Sequence, residues 1–149
     1  MSIAARQMEF DFAAPVLPCP VLPSPLARDA RRQRGQVNHL AGLAAEARVA
    51  QDYERRGYVV AGTRWRGQCG EIDLILRDGL ALVFVEVKKS RSYDEAFRHL
   101  GWRQVRRLMA AAEEFAGGEP LGSLTEMRFD VALLDAQGRV RVVENAFGP

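Results

Sequence analysis

The sequence predicts an α/β fold: a mixed sheet with helices packed on it, in the order α-β-β-β-α-β-β. Three observations carry that prediction. Apolar residues recur at helical spacing between about Gln36 and Arg56. Two apolar runs, Glu71 to Arg77 and Leu80 to Lys88, flank Asp78-Gly79, a strong hairpin signal. A second helical stretch then precedes two further short strands, a mixture that calls for helices packed on a sheet.

A chain of 149 residues with 48% hydrophobic content suits one domain around a single core. The domain is expected over residues 36–149. Residues 1–35 read as a disordered tail, because five prolines fall between Pro15 and Pro25 and an arginine cluster follows at Arg28, Arg31, Arg32 and Arg34. In the first helix Leu40, Leu43, Ala47, Ala50 and Tyr53 form the apolar stripe, and Gly57 supplies the stop. Glu46 leans towards that stripe, and a pairing with Arg48 or another surface base is its plainer role. Tyr58 to Thr63 is the first strand, and Arg64 to Gly70 a loop or ragged strand edge. After the hairpin, about Asp94 to Gly117 forms the second helix, with Val105, Leu108, Ala112 and Phe115 inward and Gln104 at the apolar edge. Met127 to Leu134 and Val140 to Val143 are the last strands, turned by Gly138.

The formal charge of +2 lies wholly in the first 35 residues, where five arginines meet three acids. The remainder holds 16 basic and 16 acidic groups, so any site for a polyanion must be a local patch. No apolar run reaches the ~20 residues that span a bilayer, so no membrane segment is expected. Cys19 and Cys69 sit in very different contexts, so a structural disulfide is not expected and a reducing cytoplasm is the default.

Charge inside the hairpin strands points to chemistry. A buried carboxylate without a partner costs several kcal/mol or takes up a proton. If Asp78-Gly79 is the turn, Arg77 opposes Leu80 and Asp73 opposes Phe84, with Glu86 one step along on the same face. Lys88 shares that side of its strand. Two acids and a lysine so placed suit a metal-dependent phosphodiesterase, and from spacing alone they suit a salt-bridge cluster equally well. Glu71 shares the face of Asp73 and reads as a strand-end carboxylate in water or as a further ligand beside that acid. Asp130 beside Arg128 reads as a structural ion pair at the surface.

The segments Gly70-Glu71-Ile72-Asp73-Leu74-Ile75, Phe84-Val85-Glu86-Val87-Lys88, Arg128-Phe129-Asp130-Val131 and Asn145-Ala146-Phe147 together resemble the bacterial YraN family. That family is assigned to the restriction-endonuclease-like, PD-(D/E)XK superfamily, and the resemblance runs from about Gly42 to Phe147. It implies a restriction-endonuclease-like mixed sheet flanked by helices, with Asp73, Glu86 and Lys88 as catalytic residues and Glu46 as the acid of the first helix. Gln104 falls near the position of a polar residue on the following helix. An asparagine common before the loop aromatic is replaced here by Arg64. Similar layouts occur in archaeal Holliday-junction resolvases, so branched or nicked DNA is the first substrate class to test.

The expected activity is metal-dependent endonucleolytic hydrolysis of nucleic acid, DNA before RNA. Glu46, Asp73, Glu86 and the backbone carbonyl of Val87 would hold Mg²⁺ or Mn²⁺, hard ions that prefer oxygen. Arg66, Arg91, Arg103, Arg106 and Arg107 are candidates for phosphate contacts, and Trp65 for stacking on an unpaired base. A homodimer is expected where two strands are cut. The rival is a non-catalytic nucleic-acid-binding protein of the same fold.

Overall fold

The computed structural model describes residues 25–147. Residues 1–24 of the expected Pro/Arg-rich tail lie outside that range. The elements are α1 (Pro25–Arg55), β1 (Val59–Arg66), β2 (Glu71–Asp78), β3 (Ala81–Lys89), α2 (Tyr93–His99), α3 (Trp102–Ala116), β4 (Met127–Leu134) and β5 (Val140–Val143). A short 3₁₀ turn, Gly122–Leu124, precedes β4. The five strands form one sheet in the order β1-β2-β3-β4-β5. Only β3 and β4 run parallel among these neighbours. That parallel pair needs a crossover, which α2 and α3 supply. The expected mixed α/β architecture is the one observed, and it is consistent with a restriction-endonuclease-like fold.

Two apolar layers hold the helices to the sheet. On one side Val49 and Tyr53 of α1 pack with Leu74, Leu76, Val83, Val85 and Ala132. On the other, Val105, Leu108, Ala111 and Ala112 of α3 pack with Ile75, Leu82, Phe84, Phe129 and Val131. Alternation along β2 and β3 sends successive side chains to opposite layers, as a sheet covered on both faces requires.

Four local expectations need correction. The hairpin turn is Gly79-Leu80, because Asp78 pairs with Ala81 and Arg77 with Leu82. Gly79 takes φ 63° and Leu80 does not join it at positive φ, the pattern a type II′ hairpin needs. The second helix is two helices. Leu100 is buried and leaves the helical conformation, and Gly101 is extended with ψ 156°, so the axis breaks between His99 and Trp102. Helix α1 starts at Pro25 rather than near Gln36. Its buried residues are Ala45, Val49 and Tyr53, while Leu43 and Ala47 are exposed. Alanine and leucine fall all round this helix, so periodicity alone points weakly to the inward side.

Asp130 is fully buried rather than at the surface. Its carboxylate accepts from Tyr53 Oη at 2.8 Å, Arg128 Nε at 2.9 Å and the Asn145 N–H at 3.0 Å. Burial, followed by the Asp130 charge, pushes the Tyr53 phenol far above its ordinary range, which keeps it a donor. One side chain thus ties α1, β4 and the C-terminal segment together. Arg77 at the far end of β2 holds Glu119 after α3 through two bonds of 2.6 and 2.8 Å.

Candidate metal centre

The β2–β3 register, carried one residue beyond Leu74–Val85, sets Asp73 opposite Glu86. The ladder gives way there, and the Val87 N–H donates to Asp73 Oδ2 at 2.9 Å. A buried amide must find an acceptor, and a carboxylate supplies it where the strand partner does not. The turn therefore brings the two acids closer than the Asp73–Phe84 pairing expected from Asp78-Gly79. Glu86 reaches Gln104 of α3, and its carboxyl meets that of Asp73.

Glu86 is nearly buried, and its Oε1 takes two donors: Lys88 Nζ at 3.0 Å and Gln104 Nε2 at 2.6 Å. Gln104 Oε1 in turn lies 3.4 Å from Lys88 Nζ. The amide of α3 thus bridges acid and lysine and fixes where the ammonium sits. Among the described residues no cation is hydrogen-bonded to Asp73, though the Arg64 guanidinium feels its charge. Burial first, then the neighbouring charge of Glu86, pushes the Asp73 carboxyl up to about 8, with Glu46 adding to the rise and the Val87 N–H opposing it.

That shift has a sign. The unfolded carboxyl titrates near 3.8 and the folded one near 8, so between those values the folded state holds the extra proton. Its contribution to stability is present below the unfolded value and lost as pH rises through the folded one. The metal-free wild type is expected to melt progressively earlier than Asp73→Asn as pH goes from about 4 to 8. Thermal melts at matched pH would show it, and parallel pH curves for the two proteins would refute the crowded pair of acids.

Glu46 is engaged by Arg64. The guanidinium grips it at two points, Nε to Oε2 at 2.7 Å and Nη2 to Oε1 at 3.2 Å. Arg64 also meets His39 Nδ1 at 3.0 Å. Its backbone is left-handed, φ 47°, an uncommon state for a residue with a Cβ. Of the bases expected to pair with Glu46, Arg48 or another, Arg64 is the one that does, and Arg48 points Nε at the Gly138 carbonyl at 3.4 Å. Among the described residues, no three His, Cys, Asp or Glu side chains gather closely enough to hold a metal. Asp73 and Glu86 are a pair of hard oxygen donors, a set that fits a divalent ion keeping several of its waters. Val87 meets the pair through its N–H.

The remaining candidates are spread around this centre. Trp65 is half-buried, and its ring meets Phe115 edge-on at 5.4 Å. Arg66 pairs with Glu71 at 3.0 Å, which places that acid at the exposed strand end as expected. Arg106 lies over the Trp102 ring, 5.7 Å from its centre. Arg103 and Arg107 are exposed on α3, and Arg91 is exposed after β3. Glu114 escaped the sequence reading. It accepts from the N–H groups of Gln68 and Cys69, pinning the loop before Asp73 to α3. A Cβ at Gly67 would meet that carboxylate and the Trp65 ring, so a larger residue there would push those side chains aside. Cys69 in the same loop is disulfide-bonded, which corrects the expectation that no structural disulfide forms. Separation along the chain does not set which thiols meet in space.

No helix among the described residues is long and apolar enough to cross a membrane. The family described as "Uncharacterised protein family UPF0102" matches residues 45–134, a span that holds Glu46, Asp73, Glu86, Lys88 and Gln104. A UPF0102 protein of Ruegeria pomeroyi is 63% identical over 115 residues, covering 77% of this chain and 94% of its own. One from Cereibacter sphaeroides is 55% identical over 113 residues, covering 76% and 97%. A third, from Dinoroseobacter shibae, is 51% identical over 122 residues, covering 82% and 90%. The chain belongs to the UPF0102 family, the YraN-like group whose motifs its sequence carries.

Proposed function

We propose that this protein is a metal-dependent endonuclease of the PD-(D/E)XK superfamily, acting on phosphodiester bonds in nucleic acid, with branched or nicked DNA as the first substrate class. The observation that carries the reading is the Asp73–Glu86 pair: two carboxyls held face to face, one of them forced towards its protonated form, with Lys88 and Gln104 fixed beside them. A structural salt-bridge cluster would neutralise both acids. Here Asp73 has no basic side chain bonded to it among its described partners.

Asp73 and Glu86 would hold Mg²⁺ or Mn²⁺, with Glu46 contributing through water once Arg64 turns away. When bound, the ion supplies Lewis-acid polarisation of the phosphate and a more acidic water. The chain's own groups do the rest. Lys88, as an ammonium, donates to the attacking water and offsets charge that develops on the phosphate oxygens, while the water's proton passes to solvent. Gln104 holds Lys88 and Glu86 in register. Exposed Arg91, Arg103 and Arg107 would meet backbone phosphates, and a homodimer would cut both strands of a duplex. Trp65 would reach a base only by leaving Phe115.

The test is cleavage of single-stranded, duplex, flap and four-way-junction DNA by purified protein with Mg²⁺ or Mn²⁺, alongside Asp73→Asn and Lys88→Ala. Cleavage by the wild type that both variants lose supports the enzyme. Activity that survives in both belongs to a contaminant. Binding without cleavage favours the non-catalytic nucleic-acid-binding protein, a reading that the grip of Arg64 on Glu46 also suits.

A further inference from the structure

Beyond the acidic pair, past the ends of β3 and β4, lies a cleft of 370 Å³. Leu133 forms part of its floor. The Ser90–Ser92 turn lines one side, and the Asp135–Arg141 hairpin the other. The register relates this cleft to the candidate centre. Lys88 pairs with Leu133 across β3–β4, and Leu133 pairs with Arg141 across β4–β5. Directly paired residues share a face, so Lys88, Leu133 and Arg141 form one row on one side of the sheet. Two strand spacings separate the ends of that row, about 10 Å between backbones.

The lining is cationic. Arg91, Arg139 and Arg141 face the cleft against a single acid, Asp135. That acid closes its own turn. Asp135 Oδ1 accepts from the N–H groups of Gln137 and Arg139, and Oδ2 accepts from Arg139 Nε, each at 2.9 Å. The Arg139 side chain stays 68% exposed while doing so, leaving most of its donor edge open. On the opposite side Ser90 Oγ donates to the Ser92 carbonyl at 3.0 Å, which shapes the turn that carries Arg91. Three guanidiniums in a concave place are a local basic patch on a globular part whose charges balance overall.

We propose that this cleft binds a phosphodiester of the same nucleic-acid strand that the Asp73–Glu86–Lys88 centre engages. The assignment rests on the nucleic-acid reading above and deepens it. An offset of about 10 Å places that phosphate within a few nucleotides of the bond held at Lys88. The cleft therefore sets a minimum length of strand on one side of the scissile bond and fixes the direction in which the strand crosses the sheet. Arg139 and Arg141 are assigned to substrate binding in addition to Arg91.

The test reads binding and not cleavage. The full chain is titrated in EDTA against a fluorescently labelled duplex and a labelled single strand, by anisotropy, over a range of salt concentrations. The triple variant Arg91→Gln, Arg139→Gln, Arg141→Gln is expected to bind about fivefold or more weakly than wild type. The slope of log K against log salt should fall by about 0.9 on duplex, the value for one phosphate contact. Arg55→Gln, at the end of α1, is expected to leave both readouts unchanged. Should the triple variant melt early, Arg91→Gln alone, which lies outside the Asp135 turn, is expected to show part of the same loss.

Unchanged affinity and slope in folded variants would overturn the cleft, as would a wild type that binds neither probe. Inorganic phosphate that binds as tightly as the oligonucleotides, and is lost in the same variants, would replace the strand by a free anion and also overturn it. The two proposals fail separately. A wild type that cuts DNA while the slope stays put leaves the nuclease standing without the cleft. A wild type that never cuts, but whose slope falls in the variants, leaves the cleft standing without the nuclease.

Discussion

Asp130→Ala is expected to destabilise the domain by about 3–5 kcal/mol, the range for removing one partner from a buried charged network. Three donors lose their acceptor at once: the Tyr53 hydroxyl, the Arg128 guanidinium and the Asn145 N–H. Tyr53 is wholly buried beneath the sheet, so water does not replace the lost bond without opening the α1 layer. Typical domain stability is only about 5–15 kcal/mol, so the variant should melt earlier by more than 10 °C and accumulate poorly. Asp130→Asn keeps the shape and one acceptor oxygen, and a smaller loss of about 1–3 kcal/mol is expected. Thermal and urea melts decide the matter. An alanine variant that melts with the wild type would show that the hub is not a tie between layers.

The second large effect is on activity, and it carries opposite signs in two measurements. Asp73→Asn is expected to lower metal-dependent cleavage by about 10²-fold or more, close to 3 kcal/mol of transition-state stabilisation. The same change should raise the melting temperature of the metal-free protein at pH 8 by several degrees, because the carboxyl it removes is buried against Glu86. Mn²⁺ should stabilise the wild type and leave the variant nearly unmoved. Loss of cleavage together with loss of stability would mean that Asp73 serves only the fold. Lys88→Ala offers the complementary reading, since it leaves both acids in place and removes the ammonium from Glu86.

Much of this was legible in the sequence because it depends on short-range pattern. Alternation placed β2, β3 and β4 within a residue or two, and the charges inside two apolar strands singled out Asp73, Glu86 and Lys88. The turn was harder. Asp78-Gly79 and Gly79-Leu80 both put glycine at a central position where positive φ is wanted, and the register, with Asp78 paired to Ala81, chooses between them. The shift changed the residue that the register sets opposite Asp73 from Phe84 to Glu86. Asp130 could not be placed by a local rule. Its burial follows from the C-terminal segment returning beside β4, which no spacing near Asp130 announces. Arg64 was visible only as a departure from the family pattern, because the left-handed backbone that aims it at Glu46 leaves no mark in composition.

The groups of the candidate centre, from Glu46 to Gln104, lie in one uninterrupted stretch of chain, whereas the tie at Asp130 recruits partners as far apart as Tyr53 and Asn145. During synthesis every group of the candidate centre therefore leaves the ribosome before β4 does. Until β4 arrives, the outer edge of β3 presents unpaired N–H and C=O groups to any neighbouring strand. The chemistry of this protein is written early in its chain, and its guard against wrong association comes last.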